Sequence, residues 1–391
     1  MEVSIVGPGA SAPNRPPAAP PSLGDGFRPT DATNESRTNV AGYVDLEVNP
    51  FSALLVGVAA RAENYSDFGS KTTGKVTARF EVTPGIAVRG AAATGYRAPS
   101  LAQSFFTSTA TNFINGVPFE IKTFPVSSGA GRLLGATDLK PETAVNLSAG
   151  VALSPTPNLS VTIDYYHIAI DDRVVLSGNF TDVTVRNFLA ENGFPGVGGG
   201  RYFTNAIDTE TEGVDVIVGY GASIGKSSNL RVTAGYNANK TKVTRISNTP
   251  PALAAFQSVL FDREQQARIE VGQPKNNLNL MGVLSVSKAT ITLRTQRFGQ
   301  VTAFNSSPTL AALDQTFGAK WLTDASVAYR VLDQITLSVG VDNIGDVYPD
   351  KNSVGNATTA GNSNFATFPY NSVSPFGFSG RYVFGRASVV F

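Results

Sequence analysis

The chain has 391 residues, 31 Lys and Arg against 30 Asp and Glu, and a formal net charge of +1. This balance offers no basic surface for nucleic acid. With no Cys and one histidine, His167, disulfides and thiolate metal sites are excluded, and Cys/His or Ser/His catalysis has little to work with.

Only 16% of residues are charged, below the roughly 25% of soluble proteins. No apolar run reaches the length of a transmembrane helix. The mean hydropathy is −0.02. That value suits a membrane barrel equally well, because lipid-facing and lumen-facing residues alternate and average out.

Residues 1–35 are rich in Pro, Gly, Asn and Asp, with the run Pro16-Pro17-Ala18-Ala19-Pro20-Pro21. They lack periodicity and read as an irregular lead or outer loop. Met1 to Leu23 has no basic stretch followed by an apolar one, so it does not read as a signal peptide.

From Ser36 onward the pattern has period two. Val76, Ala78, Phe80 and Val82 oppose Lys75, Thr77, Arg79 and Glu81. Leu159, Val161, Ile163 and Tyr165 oppose Ser160, Thr162, Asp164 and Tyr166. The same alternation recurs from Leu230 to Asn237, from Ala289 to Arg294 and from Ile335 to Asp342. About thirteen such strands fit, mostly about 10–16 residues long, where globular strands run about 5–6 and a membrane-spanning strand needs about 9–11.

Short links occur at Asn49-Pro50, Pro84-Gly85, Ser154 to Asn158, Gly221 to Ser228, Ser287-Lys288 and Leu332-Asp333. They alternate with links at 67–70, 96–138, 173–208, 244–274, 300–318 and 346–375, most of them long. Outer-membrane barrels keep short turns inside and long loops outside. The first and last strands then both run inward. Left open, such a sheet would carry several kcal/mol for each unpaired backbone group in lipid. The odd count therefore predicts further strands on the N-terminal side.

Short motifs add a family. Arg89-Gly90 leads to Thr94-Gly95-Tyr96-Arg97-Ala98-Pro99-Ser100-Leu101. Leu139-Lys140-Pro141-Glu142 precedes Asn146 and Gly150. Val341-Asp342-Asn343-Ile344-Gly345-Asp346-Val347-Tyr348 lies near the end, and Arg381 to Phe391 forms a terminal strand closed by an aromatic. Glu63 to Gly69 adds a fifth piece. In order and spacing, residues 36–391 resemble the barrel of TonB-dependent receptors.

The resemblance implies an all-β fold: a transmembrane antiparallel β-barrel in the bacterial outer membrane, corresponding to the C-terminal part of a 22-stranded barrel whose lumen is plugged. It implies a receptor for a scarce nutrient, a ferric siderophore first, or cobalamin, haem or carbohydrate, with no covalent catalysis and no cofactor. The family's plug and energy-coupling box have no counterpart in the motifs, so a TonB complex becomes a partner only with an upstream plug. A truncated receptor without transport and a passive porin are the alternatives. An outer-membrane enzyme is a third, but His167, at the end of the Tyr165-Tyr166 strand, lacks a recognisable partner.

The residues divide accordingly. Gly95 through Ser100, Leu139 through Glu142 and Asn343 read as strand exits and re-entries, with Lys140 and Glu142 solvated or paired at the rim. Phe105, Phe106, Phe113 and Phe119 are aromatics of a long outer loop and candidates for stacking on a ligand. Arg79, Glu81, Arg89, Asp164, Tyr166, Arg231 and Arg294 suit a polar lumen. Phe391 is the expected signal to the barrel-assembly machinery, and lipid is the remaining partner.

Overall fold

The computed structural model describes residues 3–6, 31–114, 117–353 and 369–390, with backbone alone at 3–6, 112–114 and 117–118. Val3–Val6 (β1) pairs antiparallel with Asn34–Arg37 (β2). Four wall strands follow: Asn39–Phe51 (β3), Leu54–Tyr65 (β4), Gly69–Thr83 (β5) and Ile86–Arg97 (β6). The first long loop carries Leu101–Phe105 (α1), Ser108–Ile114 (β7), Val117–Phe124 (β8) and Gly129–Leu133 (α2). The wall resumes with Glu142–Thr156 (β9) and Leu159–Leu176 (β10).

Val183–Glu191 (α3) crosses to Val197–Ile224 (β11) and Ser228–Ile246 (β12). A 3-10 turn, Pro251–Phe256, with Gln257–Leu260 (α4) and Arg263–Glu270 (α5) leads to Asn276–Val286 (β13) and Ala289–Phe298 (β14). The small hairpin of Val301–Ala303 (β15) and Gln315–Phe317 (β16) precedes Lys320–Leu332 (β17), Ile335–Asp342 (β18) and Tyr382–Val389 (β19).

The wall is one antiparallel sheet in the order β3-β4-β5-β6-β9-β10-β11-β12-β13-β14-β17-β18-β19. Its thirteen strands match the number expected from alternation and link length. Neighbours in sequence are neighbours in space, as hairpin connections require. Among the described residues β3 and β19 are the two free edges.

Register places the apolar set on one face. Val76 lies opposite Val58 and Ala92, Ile291 opposite Leu284 and Val327, and Val339 opposite Val327 and Gly385. These side chains are bare: Val76 is 51% exposed, Leu337 48% and Val339 57%. So large an apolar face in water would be an aggregation site, whereas lipid is its matching solvent.

At the inner end the chain turns tightly. Gly85 takes a φ of 82° in the β5–β6 turn. A Cβ there would come within 2.6 Å of the Ser154 carbonyl oxygen in the next turn. Only glycine allows both the left-handed backbone and that approach.

The outer end differs from the sequence reading in one respect. β10, β11 and β12 have 18, 28 and 19 residues. They continue well past the length that spans a bilayer and into stretches expected to be loop. His167 therefore sits within β10, paired with Leu147 and Glu212, and not at a strand end. The ladder persists because these outward extensions find a core. Phe124, Leu134, Phe180, Val185, Leu189, Tyr202, Ile207, Leu253 and Phe261 pack in one buried cluster drawn from three outer loops. The principal hydrophobic core of the described residues is thus a cap on the outer end of the wall, not the wall itself.

Candidate functional site

The motif residues meet in pairs at the outer rim. Arg97, the last residue of β6, stands opposite Glu142, the first of β9. The Arg97 Nε donates to Glu142 Oε2 at 2.9 Å, and its Nη2 donates to Oε1, a two-pronged ion pair. Glu142 Oε1 also accepts the Val174 backbone N–H of β10 at 2.7 Å. One carboxylate so ties three strands, and its side chain is only 7% exposed. Glu142 is paired, one of the two environments expected for it. Lys140 is held by its backbone: its N–H donates to Asn205 Oδ1 at 2.8 Å, and its carbonyl accepts from Asn205 Nδ2 at 2.9 Å.

Ser100 caps α1. Its Oγ accepts the Gln103 N–H at 3.1 Å, while the Gln103 Oε1 accepts the Ser100 N–H at 2.9 Å. This reciprocal box anchors the first loop where it leaves the wall. Tyr96 lies edge-on to Tyr65 with ring centroids 6.2 Å apart, joining the Glu63–Gly69 piece to the Gly95–Ser100 piece.

Asn343 has a φ of 52°. Its side chain closes the exit turn, accepting from Val347 N–H at 3.0 Å and donating to the Val347 carbonyl at 2.8 Å. Asp346 then accepts the Arg381 N–H at 2.8 Å, joining the last two motifs. Gly95 through Ser100, Leu139 through Glu142 and Asn343 thus stand at the rim, where the side chains of Arg97, Ser100, Glu142 and Asn343 bind strand ends and turns to one another.

The polar face has its own construction. Arg89 on β6 reaches Asp164 on β10 across the intervening β9, donating from Nε at 2.7 Å. The strand between carries Gly150 in register with both, and a Cβ there would lie 2.1 Å from Asp164 Oδ1. Tyr166 likewise lies over Gly213, and its hydroxyl oxygen accepts from Asn237 on β12 at 3.0 Å. Arg294 pairs with Asp324, whose other oxygen accepts the Asn343 N–H at 2.8 Å. Glycines in register let long polar side chains lie flat along the sheet and satisfy one another. Arg79, Glu81 and Arg231 share this face by strand register.

Among the outer loops lies a cleft of about 630 Å³ bordered by Ser177, Asn179, Arg201, Arg263, Arg268 and Ser307. Arg263 is spoken for: it pairs with Asp314, donating from Nη1 at 2.9 Å, and its guanidinium lies 4.6 Å from the Phe304 ring centroid. That guanidinium holds the Asp314 carboxyl below its ordinary range. Arg201 makes a 3.2 Å hydrogen bond to Thr123 Oγ1. The volume is that of a small-molecule site.

The loop aromatics are dispersed. Phe105 is half-buried on α1, Phe106 is 37% exposed, and Phe119 lies under Arg186, 5.2 Å from guanidinium carbon to ring centroid. Phe124 is buried in the cap core. The side chain of Phe113, and Phe391, lie outside the described residues. Sequence reasoning passed over Asp324 and Asn205, because each acts through partners distant in sequence.

Residues 8–344 match the family described as TonB dependent receptor-like, β-barrel. Over 142 residues the chain is 24% identical to the iron-regulated outer membrane virulence protein of Vibrio cholerae serotype O1, covering 36% of this chain and 19% of that protein. The fold is similar to the siderophore receptor PirA from Acinetobacter baumannii, with a TM-score of 0.61 and 15% identity, covering 92% of this chain and 46% of that one. It is also similar to the ferripyoverdine receptor of the Pseudomonas aeruginosa outer membrane, with a TM-score of 0.55 and 13% identity over 91% of this chain and 39% of that one. The chain therefore spans less than half the length of these solved receptors.

Proposed function

The chain belongs to the TonB dependent receptor-like β-barrel family of the bacterial outer membrane, and from that premise we propose that it forms wall and outer loops of a receptor taking up a ferric siderophore. The observation that carries this reading is the cap. Three outer loops fold around a shared core, and two of them, with the 300–318 loop, border a cleft of about 630 Å³. A simple diffusion pore has no need of such a structure. Among proteins of similar fold, PirA is a siderophore receptor and the Pseudomonas aeruginosa protein a ferripyoverdine receptor, and the Vibrio cholerae relative is an iron-regulated outer membrane protein.

The ligand is captured by outer loops, with Phe105, Phe106 and Phe119 among the contact candidates, and passes along the polar face. No step makes or breaks a covalent bond. Energy comes from the TonB complex through a plug segment inside the lumen. The edges of β3 and β19 are covered by further strands before the wall bears lipid, since exposed ladder groups there cost several kcal/mol each. The terminal strand is read by the barrel-assembly machinery, with Phe391 as its last residue.

The test is uptake of radiolabelled iron as ferric siderophore by iron-starved cells producing the full-length protein. Uptake that needs both this protein and the proton-motive force supports the reading. Iron uptake identical with and without the protein would overturn it. Steady, unselective conductance of the purified protein in planar bilayers would mark a passive pore instead.

A further inference from the structure

The outward face of the wall changes character within one register step. Tyr165, Val214 and Ala238 form a cross-strand row on the apolar face. The next row outward is His167, Glu212 and Lys240, and the one after it is Ala169, Glu210 and Lys242. Successive residues of a strand alternate faces. These two rows therefore lie on the same face as the apolar belt and point away from the lumen. Asp171 lies one further step out on β10 of the same face.

Ten residues of β11 separate Ile224, at the inner turn, from Val214. At about 3.3 Å per residue and a tilt of about 40°, they climb roughly 25 Å, the height of the apolar band of an outer-membrane barrel. Glu212 and Lys240 then begin where the acyl chains end and the outer-leaflet headgroups start.

All four charged side chains of β11 and β12 in these rows are exposed. Each lysine faces a glutamate in register, Lys240 opposite Glu212 and Lys242 opposite Glu210, yet among the described residues none of the four makes an ion pair within 4 Å. The nearby basic group that is engaged is Arg245, which pairs with Asp172 and Asp208. Two ammonium groups on one strand, two residues apart, are thus free on the lipid side at headgroup height.

We propose that Lys240 and Lys242 form a docking surface for a phosphorylated glycolipid headgroup of the outer leaflet, juxtaposed there with the outward-facing Glu210 and Glu212. Each ammonium meets a phosphate oxygen in a charge-assisted hydrogen bond. The two glutamates in register oppose the attraction, so binding draws on both ammonium groups together with burial of the acyl chains. The lipid held there packs its acyl chains on the row of Tyr165, Val214 and Ala238 and buttresses the extended β10–β12 ladder below the cap. This surface lies on the lipid side of the wall and does not depend on which nutrient passes inside it.

The experiment uses the full-length protein in detergent micelles, titrated with lipid A. Lys240→Gln and Lys242→Gln are each expected to weaken binding about 5-fold, and the double variant about 25-fold, from roughly one surface charge interaction per lysine. The loss shrinks with added salt and disappears with dephosphorylated lipid A. Glu212→Gln, which removes a repelling charge, tightens binding. Arg231→Gln, on the opposite face, leaves it unchanged. Heat-modifiable gel mobility verifies that every variant is folded. Wild-type affinity in the folded double variant would overturn the proposal. So would inorganic phosphate competing as well as lipid A, or an equal loss in Arg231→Gln.

Discussion

Replacing Arg97 with Ala removes the partner of a carboxylate that is 7% exposed and joined to three strands. Breaking a buried pair by taking away one charge costs about 3–5 kcal/mol. The Arg97 side chain is itself 61% exposed, so solvent screening lowers the expected loss to about 2 kcal/mol. The loss falls on the outer rim, where β6, β9 and β10 are stapled. It is read most directly as amide hydrogen exchange at Val174, whose N–H bonds to Glu142 at 2.7 Å. A local opening easier by about 2 kcal/mol speeds exchange roughly 30-fold where closing outruns exchange. Glu142→Gln is the companion: it keeps an oxygen for Val174 but loses the charge, and it is expected to fall between wild type and Arg97→Ala. Unchanged protection at Val174 in folded Arg97→Ala protein would refute the idea that these motif residues act as a clamp.

Other consequences follow from the same geometry. Gly150→Ala puts a methyl group into the Asp164 carboxylate and the Ile163 carbonyl oxygen, 2.6 Å away; overpacking of this kind costs about 1–3 kcal/mol, measurable as a lower urea midpoint, and an unchanged midpoint would show that the Arg89–Asp164 crossing has slack. Phe180→Ala empties a site 1% exposed that stacks on Tyr202. The expected loss of about 3–5 kcal/mol appears as protease cleavage within the loops while the wall keeps its heat-modifiable mobility; intact loops would contradict an independent cap core. Asn343→Ala gives up both bonds to Val347 and the left-handed preference at φ 52°. It should loosen the β18 exit by about 1–3 kcal/mol, seen as faster exchange at the Val347 amide.

The loop pair Arg263–Asp314 adds a pH dependence. Hydrogen bonding to Arg263 lowers the Asp314 pKa. A lowered folded pKa means stability that is full above the unfolded value, about 3.9, and lost as pH falls through the folded value. Loop protease resistance is therefore flat near neutrality and drops below about pH 4. In Asp314→Asn that part of the drop disappears, and an identical acid profile in the variant would rule the pair out.

The wall was legible because its signal is local. Alternation along Leu159–Tyr165 or Ile335–Val341 needs nothing from the rest of the chain, since every strand meets the same two solvents. Link lengths ordered the strands, and the count of thirteen followed. The cap was not legible, because Leu134, Phe180, Leu189, Tyr202 and Leu253 come from three loops and share no period. Part of it did leave a trace. Asp182 followed by Val183–Glu191 is a helix start, with Asp182 Oδ1 accepting the Thr184 N–H at 2.8 Å, and capping logic recognises such a start. The underestimated lengths of β10 to β12 have the same origin: Gly198, Gly199 and Gly200 read as loop, yet they let β11 approach Phe119, Phe180 and Lys122 closely in the cap. The rim pairs, Arg97 with Glu142 and Asp346 with Arg381, require register across strands, and no spacing within one motif contains it.

One face of the wall meets lipid and the other meets the lumen. The 391 residues contain no cysteine, so an introduced cysteine is the sole thiol among them. The decisive measurement places cysteines one at a time along β12, at Arg231, Val232, Thr233, Ala234 and Gly235, in the full-length protein in outer membranes. Each is tested with a water-soluble, membrane-impermeant maleimide after gentle opening of the lumen. Labelling is expected at 231, 233 and 235 and protection at 232 and 234, with the reverse order for a lipid-phase probe. Uniform labelling at all five positions, or a period nearer 3.6 than 2, would contradict it.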